Sequence, residues 1–295
     1  MDEIAAILAI LAAIFFALAA TLWQRASLAV GVEPGDSKAF ARLLANPVWL
    51  LGLVTQILGV VLQAAALDRG RVAIIQPLLV TTIIWAMPLG YFLTDQVISR
   101  RHVLGAALVV VGLAVFASVG DPAGGIENAP TRDWVMAFLV IGAVCAGLLL
   151  FGRSGGLSAR AAVFGATAGM LYGISATLMK PVVEELHADG VAGVLESWEL
   201  WVMAVTGLVG FYLQQISLAT GRLVPSVATV SVANPVVSVL LGVLVLQERL
   251  DQPPAWHAVV AVGALATALF GATVVASASE EDQEPEPAAG HPAVA

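Results

Sequence analysis

An all-α, polytopic bundle of membrane helices built as an inverted repeat is the fold class this sequence predicts, on three observations. Hydrophobic residues fill 59% of the chain and charged residues only 12%, against roughly 25% charged in a soluble domain. Nine stretches are apolar and long enough to cross about 30 Å of hydrocarbon. Finally, a shift of 151 positions lays Val54-Thr55, Gly59, Leu62-Gln63, Leu67 and Gly70-Arg71 on Val205-Thr206, Gly210, Leu213-Gln214, Leu218 and Gly221-Arg222. Five of those eight identities are Thr, Gly, Gln or Arg, which a shared preference for Ala and Leu does not explain.

The spans are predicted at 4–24, 48–67, 72–93, 103–119, 134–151, 161–182, 199–219, 224–246 and 256–276. The first opens on Asp2 and Glu3 instead of a basic segment and is longer than a signal-peptide core, so it reads as a retained helix. Loop 25–47 carries Gly31, Glu33, Pro34, Gly35, Asp36 and Ser37 and is expected outside the bilayer. The second span carries Gln63, whose amide is costly in lipid unless it faces protein or water. The third holds Gln76-Pro77, Thr81, Thr82, Trp85 and Pro88, where proline frees backbone carbonyls that need another partner. The fourth continues the repeat register through Val111-Gly112, matched by Val262-Gly263 in the ninth.

The fifth span has no counterpart and reads as a connector. In the sixth, Gly165, Gly169 and Gly173 lie four residues apart on one face, the spacing that lets two helices approach closely. That helix continues through Tyr172, Ser175 and Thr177 to Lys180-Pro181, where proline is expected to bend or end it. Lys180 is either an intramembrane cation serving as an anion partner or a gate, or a side chain reaching the headgroups. Segment 183–198 is expected as the counterpart of loop 25–47. The seventh span carries Gln214 at the position of Gln63, with Gln215 beside it. The eighth carries Pro225, Ser226, Thr229, Ser231, Asn234-Pro235 and Ser238. The tail after Ser279 is acidic and proline-rich, and disorder is expected there.

A second register, at a shift of 156, pairs Phe16 with Tyr172 and Ala20-Thr21-Leu22 with Ala176-Thr177-Leu178. Equivalent helices then stand five spans apart, so the two halves cross the membrane in opposite senses, the geometry alternating access uses. The implied organisation is a four-helix repeat over 1–120, a connector over 121–155, a second four-helix repeat over 156–277 and a tail over 278–295. Eight Lys and Arg lie on the side of the odd-numbered loops and five on the other. The positive-inside rule puts the first set in the cytoplasm, the N-terminus outside and the tail inside, in a bacterial inner membrane.

Paired, proline-containing helices in two halves point to a binding site between them. The expected substrate-binding residues are Gln63, Gln76, Thr81 and Trp85 from the first half, with Tyr172, Lys180, Gln214, Thr229 and Asn234 from the second. The competing reading makes these helices structural, with hydroxyls bonding their own backbone. No Asp or Glu lies well inside a span, no phosphate-binding loop is present, the histidines are isolated and Cys145 is the single cysteine. No catalytic residue, metal ligand or cofactor is therefore expected, nor an enzymatic activity. The scattered basic residues leave no stripe for nucleic acid. The expected partners are a small-molecule substrate and the lipid bilayer, with a homodimer left open.

The run Leu218-Ala219-Thr220-Gly221, Asn234-Pro235, Leu246-Gln247-Glu248-Arg249-Leu250 and Gly263 resembles the EamA-type repeat of the drug/metabolite transporter superfamily. The resemblance covers most of 48–276, with Gln76-Pro77 and Thr94-Asp95-Gln96 standing less closely for the same motifs in the first half. It implies a secondary transporter of a small organic solute. Nine spans with the N-terminus outside also resemble the NIPA-type magnesium transporters, although Leu62-Gln63 and Leu67-Asp68 stand where those carry acidic and asparagine residues. A divalent-cation transporter, and a non-transporting membrane scaffold, are the alternatives.

Overall fold

A computed structural model describes residues 3–31, 37–69, 78–119, 122–123, 129–152, 155–247, 249–250 and 256–281. Its helices are α1 (Glu3–Val30), α2 (Ser37–Leu44), α3 (Pro47–Arg69), α4 (Thr82–Thr94) and α5 (Arg100–Val119), then α6 (Thr131–Gly152), α7 (Leu157–Glu196), α8 (Trp198–Ala219), α9 (Leu223–Leu244) and α10 (Trp256–Glu281). Two-residue strands, β1 (Pro122–Ala123) and β2 (Arg249–Leu250), pair antiparallel. Six of the helices are long and apolar enough to cross a membrane by length and composition.

Apolar side chains cover the outside as well as the core. Leu139, Leu150, Leu208, Val259 and Phe270 are all more than 60% exposed, and a soluble monomer does not carry such a belt. The fold fits a multi-pass membrane protein. Lipid is as apolar as leucine, so close backbone packing must hold such helices together. Small residues supply it here. A Cβ on Gly169 would come within 2.8 Å of Ala233 Cβ and Val230 O, and one on Gly173 within 2.7 Å of Val237 Cβ, so the glycine stripe of α7 packs on α9. Ala9, Ala13 and Ala17 form a matching stripe on α1, all fully buried, and Ala9 clusters with Leu78 and Leu79 before α4. A third close crossing joins α5 to α10, where a Cβ on Gly271 would lie 2.6 Å from Gly105 O and one on Gly112 would lie 2.6 Å from Ala264 O.

Helix directions follow from contacts at the two ends of the bundle. Leu28, near the end of α1, reaches Gly221 in the α8–α9 turn, and Gln96 after α4 donates to Gly221 O at 2.9 Å. At the start of α7, Ala161 O accepts from Ser217 just before that same turn. So α1 ends where α7 begins, and the two run in opposite directions. At the other end the Trp134 and Trp198 rings meet edge to face at 5.7 Å.

The elements differ from the expected ones in three places. The first helix runs on to Val30, and loop 25–47 contains α2, an amphipathic helix, instead of turns alone. Helix α7 passes through Pro181 and runs to Glu196, so segment 183–198 is mostly helical. Proline removes one donor without forcing an end when the ring can be accommodated. The break falls at Gly190 instead, with φ of 67°, a conformation open to glycine. Pro88 and Pro235 likewise sit inside continuous helices, and Pro225 falls in the first turn of α9 where no donor is needed. In the first half the described interruption is at Thr81, a turn between Leu78–Val80 and α4.

Candidate functional site

The two halves meet along a polar seam at the end of the bundle that holds the α8–α9 turn. Gln214 and Gln215 face different neighbours, as successive helical residues must. Tyr172 on α7 donates to Gln214 Oε1 at 2.7 Å, and its ring lies over Gly210, one turn earlier on α8. A Cβ there would be 3.2 Å from Tyr172 Cδ1, so a larger residue would push the ring back by a few tenths of an ångström. In the first half Phe16 lies over Gly59 in the same way, with a Cβ at 2.6 Å from Phe16 Cδ1, and Gln63 stands one turn further on. Phenylalanine has no hydroxyl to offer it.

Gln215 belongs to an aromatic cluster. Trp49 Nε1 donates to Gln215 Oε1 at 3.1 Å, and Trp23 Nε1 donates to Trp49 O at 3.2 Å. Phe211, one turn before Gln215, meets the Trp23 ring edge-on at 5.1 Å and the Trp49 ring at 6.0 Å. A Cβ on Gly52 would clash with the Trp23 ring at 2.6 Å, so α3 can approach α1 here only through a glycine. Gln24, Ser27 and Gln215 are wholly enclosed. Both amide atoms of Gln24, the Ser27 hydroxyl and Gln215 Nε2 have no hydrogen-bond partner among the described residues. On the α7 side, Ser226 and Ser217 hydroxyls stand 2.6 Å apart, and Ser217 lies 2.6 Å from Ala161 O, so the pair bonds in series to that carbonyl. Arg222 at the start of α9 is buried beside the same turn.

The expected binding residues divide. Tyr172 and Gln214 are brought together. Thr81 donates to Leu78 O at 2.5 Å and Thr229 to Pro225 O at 2.9 Å, and a Cβ on Gly165 would meet the Thr229 hydroxyl. Both hydroxyls therefore serve their own backbone, and that of Thr229 also packs on α7. Asn234 is half-buried on α9, and its carbonyl lies against Gly173. Gln63 is half-buried, and Trp85 is 36% exposed on the outside of α4. Gln76 and the Lys180 side chain lie outside the described residues. Gln24, Ser27, Trp23, Trp49 and Phe211 were not among the expected set. A polar residue in the last turns of an apolar run, as Gln24 and Ser27 are, was the signal available.

Two grooves lie away from this seam. One of about 330 Å³ between α6 and α9 is lined by Asp133, Met136, Val140, Val237, Leu241 and Val245. The other, about 490 Å³, is acidic, with Glu185, Asp189, Glu196 and Glu199 around the α7 break. Among the described residues no three His, Cys, Asp or Glu converge as metal ligands would.

The chain is 30% identical over 213 residues to an uncharacterised protein of Corynebacterium glutamicum, an alignment covering 72% of this chain and 74% of that one. No family model matches it, and no solved structure does.

Proposed function

The chain belongs to the same family as the Corynebacterium glutamicum protein, and we propose that it is a secondary transporter of the drug/metabolite type. It moves a small organic solute across the membrane by alternating access, with nine spans arranged as two inverted four-helix repeats around a connector, α6. One observation supports this reading: several contacts of the first half recur in the second at the positions the sequence registers pair, and α1 and α7 run in opposite directions. Phe16 lies over Gly59 as Tyr172 lies over Gly210. Thr21 donates to Ala17 O at 2.8 Å as Thr177 donates to Gly173 O at 2.9 Å. After α4 the Asp95 N–H bonds Gly90 O, and after α9 the Leu246 N–H bonds Leu241 O. Each pair obeys the sequence registers of 151 and 156 positions. Antiparallel twins offer two related arrangements, one open to each side, and this is what alternating access uses.

The seam between the twins supplies amides, hydroxyls and aromatic faces, which suit an organic solute better than a hard cation wanting several carboxylate oxygens. Reconstitution tests the proposal. Proteoliposomes should take up an amino acid or other small metabolite saturably, with uptake accelerated by the same solute trapped inside. Folded protein that shows no counterflow with any solute of such a panel, or that carries Mg²⁺ saturably instead, would overturn it.

A further inference from the structure

We propose that Gln24, Ser27 and Gln215 form the solute-recognition site of this transporter, and that its substrate is an uncharged molecule carrying an amide or hydroxyl group on an apolar or aromatic body. The inference rests on the transport reading and names the part of the seam that does the binding. Unpartnered polar atoms are rare inside proteins, because each forfeits its water without compensation. Here four such atoms lie on α1 and α8, helices that meet where the Trp23 and Phe211 rings touch and where Leu28 reaches Gly221: both amide atoms of Gln24, the Ser27 hydroxyl and Gln215 Nε2. Gln24 and Ser27 stand one turn apart on the α1 face that Leu28 continues to Gly221. Gln215 is not free to turn its amide, since Trp49 Nε1 holds the Oε1 end at 3.1 Å and so leaves Nε2 as the unused donor.

These atoms together supply donors from both amides and Ser27 and acceptors from Gln24 and Ser27, with no carboxylate among them. A neutral amide or hydroxyl, which needs both a donor and an acceptor, matches that set; a carboxylate ligand would leave Gln24 Oε1 facing a negative charge. Beside Gln215, Phe211 meets the Trp23 and Trp49 rings edge to face and the two tryptophans tilt against each other, so three rings supply apolar surface for the rest of the molecule. Gln24 and Gln215 are wholly enclosed, so a solute reaches them only when the α1 and α8 halves part, as the transport cycle requires.

Benzamide, benzoate and benzylamine share one ring and differ in charge, so they probe the site in the full-length protein in nanodiscs. Benzamide should change tryptophan fluorescence saturably, and benzoate and benzylamine should not. Gln24→Leu and Gln215→Leu should each weaken benzamide by about tenfold, the value of one lost hydrogen bond to a buried partner. The melting temperature supplies the second readout. If the amides await a solute, Gln24→Leu removes unpaired polar atoms and should melt at or above the parent temperature. A lower melting temperature, or benzamide binding unchanged by both variants, would overturn the assignment. Counterflow of a solute that is indifferent to Gln24→Leu would overturn the site and leave the transport reading standing. Benzamide binding lost in both variants, in vesicles that show no flux, would support the site and remove the transport reading.

Discussion

Tyr172 and Phe16 show how one atom can make twin positions unequal. Both rings cover a glycine, but only Tyr172 has a hydroxyl to give the glutamine one turn beyond. Replacing Tyr172 with Phe would make the second half resemble the first and leave Gln214 Oε1 unpaired. We expect a loss of about 1 kcal/mol, the net worth of one such bond, read by thermal unfolding in detergent, while Phe16→Leu keeps its polar chemistry unchanged. Flux should separate site residues from bystanders. Gln214→Ala and Asn234→Ala are expected to impair transport of a neutral or zwitterionic solute, whereas Asp95→Asn and Glu248→Gln leave it largely intact. Asp95 sits at the α4 C-cap with φ of 52°, a conformation asparagine accepts as readily, so its exchange should not disturb the cap. Saturable Mg²⁺ uptake abolished by either carboxylate change would reverse this assignment.

At the scale of elements, the glycines sort by what faces them. A methyl on Gly169 would stand within 2.8 Å of Ala233 Cβ and Val230 O, while one on Gly142 or Gly263 would meet nothing within 4 Å. Gly169→Ala should therefore destabilise by about 1–3 kcal/mol through overpacking of the α7–α9 contact. Gly263→Ala should be neutral or slightly stabilising, because it gains helix propensity of about 1 kcal/mol at most. Thermal or denaturant unfolding of the two variants side by side decides it. The α5–α10 crossing has a polar clasp at its end as well. Nδ1 of buried His102 accepts from Ser99, with the Ser99 N–H at 3.2 Å, so Nε2 carries the proton and donates to Ser279 Oγ at 2.7 Å. Ser279 in turn donates to Val275 O at 3.0 Å. His102→Leu should loosen the last turns of α10 and speed proteolytic trimming up to that point, while the rest of the bundle keeps its melting temperature.

Over the whole molecule, the two four-helix units are expected to superpose after a rotation of about 180° around an axis in the membrane plane, leaving α6 over. An experimental structure in which equivalent helices run parallel would remove the repeat and the transport argument with it. Topology is open to a simpler measurement. From the bias of eight Lys and Arg against five, the residues before α1 are expected outside and those after α10 in the cytoplasm. Single cysteines placed at either end, in a Cys145→Ala background, should react with an impermeant maleimide on opposite sides. Labelling of both ends from one side would mean an even number of crossings.

Hydropathy, the repeat registers and the position of the polar residues were legible along the chain because each depends on local composition or on comparison of the chain with itself. The helices at 47–69, 131–152, 198–219 and 223–244 lie within a few residues of the expected spans for that reason. The length of α7 was not legible, since whether Pro181 ends a helix depends on what packs around it, and the chain turns only at Gly190. Neither was the division among the candidate site residues. Thr81, Thr229 and Gln214 look alike as polar groups in apolar runs, yet the first two bond their own backbone and the third meets Tyr172. Nothing local distinguishes Gln24 from a glutamine at a wet helix end. Only the packing of α1 against its neighbours makes it wholly buried and unpaired, because burial and pairing are properties of what surrounds a side chain, and helices distant in sequence supply those surroundings.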